Sequence, residues 1–165
     1  MWQVLIARSL SDMVSSALCG IVVSLTGLAV GWRPHSDVAS VLAGFGIALL
    51  FSYSLSWFSA CVGIMSLGPE SAQGVGLVLF FPLALVSNAI VPTGGMPSWL
   101  QAFANWSPVS TTTAALRDLF GNAKTSAVGD WPTRHPVGAT VVWALILLSV
   151  CTPLAAVMYR KRTTR

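Results

Sequence analysis

His35, Glu70 and His135 are the residues whose types suit acid–base chemistry in this chain, and Cys19, Cys61 and Cys151 those that suit thiol or metal chemistry. A membrane-embedded protease or lipid transferase needs acid, base and nucleophile gathered at one point. The apolar segments traced below put both histidines on one side of a membrane and Glu70 on the other, so these three do not meet. The cysteines fall one to an apolar segment, without the paired spacing of a metal site or a disulfide framework, and read as small buried hydrophobes. Arg8 and Asp12 read as interfacial flanks of the first apolar run. There is no G-x-x-x-x-G-K-[ST] loop to cradle nucleotide phosphates. No catalytic, metal-binding or cofactor-binding residue is assigned on this basis.

The elements that would position such groups follow from composition. The 165 residues are 55% hydrophobic and 8% charged, with a mean hydropathy of +0.75. A soluble domain carries charge on about a quarter of its residues. This chain cannot cover a water-facing surface, so its solvent is a bilayer and its class is all-α integral membrane protein. Four of the nine basic residues crowd "RKRTTR" at 160–165. A cluster just beyond an apolar run marks a cytoplasmic flank. Nucleic-acid binding would want a long basic face, which is absent, so no nucleic-acid partner is expected. The first apolar run is long enough to span, and only Arg8 precedes it, so no cleavable signal peptide is expected.

A crossing helix needs about 20 apolar residues. Four stretches qualify: 13–32, 38–67, 71–91 and 136–159, together one transmembrane domain over 1–165. Pro82 and Pro153 stand inside the last two as kink candidates. An even number of crossings places both termini on one side, and the terminal basic cluster makes that side the cytoplasm. Arg117, Lys124 and Arg134 would lie outside, spread along a long loop where charge bias counts less. In the first span Ser16, Gly20, Ser24, Gly27 and Gly31 recur at four-residue steps, the pattern that lets helices approach closely in lipid. In the second, Ser52, Ser54, Ser56 and Ser59 surround Tyr53 and Trp57. Their hydroxyls are expected to bond back to their own helix, in preference to lining a substrate groove. With no charged residue inside any span, a proton or ion relay is not expected.

Residues 91–122, "VPTGGMPSWLQAFANWSPVSTTTAALRDLFGN", are too broken to cross and too apolar for an ordinary soluble loop. Pro97 suits the first turn of a short helix. Trp99, Leu100, Phe103 and Trp106 then form one apolar stripe. Pro108 ends this helix, and a second is predicted from Ser110 to Gly121. The pair, about 97–121, reads as a hairpin dipping back into the bundle from outside, an external gate with Asn88 and Pro92 where the chain turns back. A lid lying flat on the surface is the alternative.

The run "FFPLALVSNAIVPTGGMPSWLQAFANWSPVSTTTAALRDLF" resembles the corresponding region of ABC-2 type permeases, closest to daunorubicin-resistance-like drug exporters. "ARSLSDMV", "GWRPH" and "LGPESAQG" are similar to that family's third span, its outer end and a later cytoplasmic turn. The resemblance implies the membrane subunit of an ATP-driven exporter of an amphipathic drug, antibiotic or lipid. It implies that ATP is bound by a separate ATPase subunit and that the permease pairs with a second copy or a sister permease, in contact with membrane lipid. Family permeases have six spans and this chain resembles the last four. The alternative expectation is therefore a structural or regulatory permease remnant without autonomous transport.

Overall fold

The computed structural model describes residues 2–66, 68–87, 97–122 and 131–163. Among these all regular secondary structure is helical: α1 (Trp2–Val30), α2 (Val38–Met65), α3 (Pro69–Val86), α4 (Ser98–Trp106), α5 (Pro108–Leu119), α6 (Trp131–Arg134) and α7 (Pro136–Thr163). Among the described residues three helices are long and apolar enough to cross a membrane: Leu10–Val30 of α1, α2 itself, and Pro136–Met158 of α7. This is a multi-pass, all-α integral membrane protein.

The boundaries correct the sequence reading in several places. α1 starts at Trp2, well before Met13, because no Pro or Gly interrupts residues 2–12; Asp12 thereby falls inside the apolar stretch that begins at Leu10. α1 ends at Val30. Gly31 follows with φ 101°, and the Trp32 N–H reaches back to the Gly27 carbonyl at 2.9 Å, a left-handed glycine stop. Gly31 is thus a cap and no part of a helix face. α3 has 18 residues and stops at Val86, short of the expected Val91. Ser87 turns extended there, and its hydroxyl donates to the Ala84 carbonyl at 2.6 Å. At about 27 Å, α3 is just below the thickness of the hydrocarbon core.

α2 and α7 form the centre. Trp57 and Cys61 pack against Cys151 and Ala155, with Tyr53, Phe58 and Leu148 around them. The Cys61 thiol donates to the Cys151 carbonyl at 3.3 Å. Cys19, by contrast, is exposed on α1, against the expectation that all three cysteines are buried. The hydroxyl of Ser54 bonds back to the Leu50 carbonyl at 2.9 Å, as expected of a serine in a membrane helix, but that of Ser56 donates across to Asp12.

α1 touches α2 through one half-buried stripe, Asp12, Ser16, Gly20, Ser24 and Gly27, while Leu18, Ile21, Val22 and Leu25 stand exposed on its other faces. A Cβ on Gly20 would lie 3.7 Å from the Phe45 ring, ordinary contact distance. One on Gly27 would lie 3.4 Å from Trp32, at the end of its own helix. Alanine at position 20 should therefore be tolerated. Leucine should force α1 off α2, since lipid offers no hydrophobic drive to hold the helices together. Size-exclusion profiles of the detergent-solubilised chain after graded heating should show Gly20→Leu failing first. Gly20→Ala and the exposed control Val23→Leu should match the parent, and equal behaviour of all three would remove the contact.

Candidate functional site

The sequence that seemed too broken to cross folds into the α4–α5 hairpin. Ser107 is its apex, closing α4 with an N–H bond to the Ala104 carbonyl (3.1 Å) and opening α5 by accepting the Thr111 N–H (3.0 Å). Pro108 takes the first position of α5, where its missing N–H costs nothing. The second helix therefore starts at Pro108 instead of Ser110, which lies inside it and is buried.

α5 packs against both α7 and α2. Its buried residues are all small: Ser110, Thr111, Thr112, Ala114 and Ala115. α7 offers a matching set at its start, with Ala139, Thr140 and Ala144 buried. Small side chains on both helices let the backbones come close, the usual basis of association without hydrophobic drive. Thr111 and Thr112 donate to the Pro108 carbonyl at 3.0 and 2.8 Å, and Thr140 to that of Pro136 at 2.8 Å. These hydroxyls are satisfied within their own helices, so they can be buried without an unpaired donor. With 12 residues, α5 is about 18 Å long, too short to cross, and it packs inside the bundle against α7 and α2. The α7 face was missed in the sequence, although its spacing of small residues was a legible signal.

A latch holds the far end of α5. Phe120 sets its ring edge-on to Trp32 (centroids 5.4 Å apart) and to Phe45 (6.0 Å). Its carbonyl accepts the His35 N–H at 3.1 Å. The ring lies so close to α2 that a Cβ on Gly44 would come within 2.9 Å of it. Gly121 has φ 69°, and a Cβ there would meet Ser36 Oγ at 2.5 Å and the His35 carbonyl carbon at 2.9 Å. One phenylalanine and two glycines thus fasten α5 to the α1–α2 turn. Gly121 was legible as a helix stop; nothing in the sequence marked Gly44 as the residue beneath the ring.

The aromatic stripe of α4 faces away from this packing. Trp99 is 72% exposed, Phe103 58% and Trp106 53%, whereas Ala104 is wholly buried. Asn88 and Pro92 lie outside the described residues. His35 and His135 sit at the latch end of the bundle, and Glu70 follows α2 at the other end, about 42 Å away along that helix. Acid and bases are not brought together. Among the described residues no group of three or more His, Cys, Asp or Glu is placed to hold a metal. At the Glu70 end, α2, α3 and α7 enclose a mostly apolar groove of about 530 Å³, with Phe58, Val62, Val75 and Leu154 in its wall beside Cys61 and Cys151.

Residues 1–120, covering α1 through the latch phenylalanine, match the ABC-2 type transporter family. The chain belongs to that family. It is 27% identical over 163 residues to the daunorubicin resistance ABC transporter permease protein DrrB1 of Streptomyces coeruleorubidus, which covers 98% of this chain and 55% of the relative. It is 25% identical over 160 residues to the probable doxorubicin resistance ABC transporter permease protein DrrC of Mycobacterium tuberculosis, 97% of this chain and 55% of the relative. The ABC-2 chain thus spans about half the length of these relatives. No solved structure matches it.

Proposed function

We propose that this chain is a membrane-spanning permease subunit of an ATP-binding-cassette exporter that moves an amphipathic drug, antibiotic or lipid across the cytoplasmic membrane. The observation that carries the reading is a short α5 latched into the bundle of an ABC-2 family member, beside relatives named as drug-resistance permeases. The chain itself is no enzyme and binds no cofactor; ATP is hydrolysed by a separate ATPase subunit on the cytoplasmic side. The permease works as a dimer, with a second copy or a sister permease. The groove of about 530 Å³ suits the hydrocarbon body of the cargo, and the α4–α5 hairpin serves as the external gate.

The deciding experiment is a pulldown of the tagged chain from its native membrane, followed by efflux from vesicles holding the recovered complex. A co-purifying ATPase with ATP-dependent drug efflux supports the exporter. A stable permease complex without efflux would support the structural or regulatory remnant.

Topology gives a second check. With α3 as a fourth crossing and "RKRTTR" cytoplasmic, both termini face the cytoplasm. In a cysteine-free background, a membrane-impermeant maleimide should label Ser126→Cys and not Thr164→Cys in intact cells. The reverse pattern would overturn the orientation.

A further inference from the structure

The apolar groove between α2, α3 and α7 has a length and a direction. Cys61 on α2 meets Cys151 on α7, and both helices run away from the latch end, so they are parallel and level with each other at these residues. The wall on α2 extends from Phe58 to Ser66, about 12 Å along the helix. Ser66 is where α2 ends, so the groove opens at the end of the bundle away from the latch. One leaflet of hydrocarbon is about 15 Å deep, half of the ~30 Å core. The groove therefore matches the depth of a single leaflet. Its mouth carries charge mostly of one sign. By the Cys61–Cys151 register, Ser66 is level with Ala156, and Arg160, Lys161 and Arg162 follow about 6–9 Å further along α7. α7 stays helical to Thr163, so these three residues stand on the same rod that supplies Cys151 and Leu154 to the groove wall. Glu70 is the one acidic residue in the sequence of the three helices, and it lines a separate groove with Gln73, Leu77 and Phe80.

We infer that this groove, with the basic end of α7 at its mouth, is a binding site for an anionic phospholipid of the leaflet at that end. One acyl chain lies in the groove beside Cys61 and Cys151, and the phosphate sits at the level of Arg160, Lys161 and Arg162. A basic flank alone fixes only orientation, and an apolar cleft alone accepts any lipid tail. Their separation along α7 is that of tail and headgroup in one molecule, and the sign of the charge selects an anionic head. A zwitterionic lipid brings the same tail but leaves the basic cluster uncompensated. The lipid is a resident of the bundle, which a cargo entering the same groove must displace, and the site stands apart from the exporter reading.

The experiment immobilises the full chain in detergent and measures, by scintillation proximity, binding of tritiated dioleoylphosphatidylglycerol and dioleoylphosphatidylcholine. The parent should prefer the phosphatidylglycerol by about tenfold or more, and the triple change Arg160→Gln, Lys161→Gln, Arg162→Gln should erase that preference without touching the groove. Leu154→Trp fills the groove from α7 and should weaken both lipids, whereas Val78→Trp, on a 72% exposed position of α3 outside the groove wall, should weaken neither. A second readout locates the chain. In a Cys19→Ala background, phosphatidylglycerol should slow alkylation of Cys61 and Cys151 by N-ethylmaleimide, and the triple change should remove that protection. Equal binding of the two lipids by the parent, or a preference that survives the triple change, would overturn the site. So would phosphatidylglycerol binding that leaves the two thiols unprotected, since the lipid would then sit on the basic tail alone. Should Leu154→Trp fail to fold, the triple change and the alkylation rates still decide the matter. Efflux enters none of these measurements, so loss of the site and loss of the exporter reading are separate results.

Discussion

Replacing Gly121 with alanine should unfasten α5 and abolish efflux. Two costs fall on the same atom. The backbone at φ 69° disfavours any residue with a Cβ, and that Cβ would sit 2.5 Å from Ser36 Oγ and 2.9 Å from a backbone carbon of His35. A non-glycine residue held in such a region costs about 1–3 kcal/mol before any clash is counted. The hydroxyl of Ser36 can rotate away, but the His35 backbone can move only if the α1–α2 turn moves, and with it the bond from the His35 N–H to the Phe120 carbonyl. Gly31 supplies the control: its φ is also positive, at 101°, yet a Cβ there meets nothing within 4 Å. Gly31→Ala therefore reports strain alone, and the excess in Gly121→Ala reports the latch. Gly44→Val and Gly46→Val form a second pair on α2. The first drives a side chain into the Phe120 ring, and the second has open space. Denaturant titration in detergent should rank Gly121→Ala and Gly44→Val as the unstable pair, and efflux should follow that order. Parity of Gly44→Val with Gly46→Val would show that the ring does not rest on α2 in the membrane.

The double change Trp99→Ala, Phe103→Ala should cut efflux severely while leaving the fold of the chain nearly untouched. The reason lies in exposure. At 72% and 58% exposed, these rings contribute little to packing within the chain, so truncating them removes little of its own stability. Each large ring can bury ~150–250 Å² against a partner. At ~25 cal/mol per Å² that is worth a few kcal/mol wherever the ring leaves water. If α4 seals the external end of the cargo path in a dimer, that contribution is lost only in the assembled exporter. The informative comparison is efflux and ATPase co-purification measured on the same preparation. Normal assembly with lost efflux supports the gate. Normal efflux from an assembled double mutant would reduce α4 to a lid floating at the membrane surface, and loss of assembly would make the stripe a subunit interface.

Much of this architecture was legible before folding because it is set locally. Long uncharged runs bounded by Gly, Pro and charge make crossing helices whatever their neighbours, since every backbone group in lipid must be bonded within its own segment. The hairpin was legible for the same reason: Pro97, the aromatic spacing, Pro108 and Gly121 act over a few residues. Only tertiary structure decided the rest. Asp12 read as a flank because a charge beside an apolar run normally marks its end; that its carboxylate meets the Ser56 hydroxyl, 44 residues away across the α1–α2 contact, is set by the fold. The stripe of α4 faces outward because the small residues of α5, not the large rings of α4, fit against α2 and α7. Gly44 and Gly46 look equivalent in sequence and differ only in which of them lies beneath Phe120. Local sequence determines which segments are helical and roughly where they stop, because those interactions span a single turn. Which face meets which neighbour is settled by close approach between distant helices, where fractions of an ångström separate contact from clash.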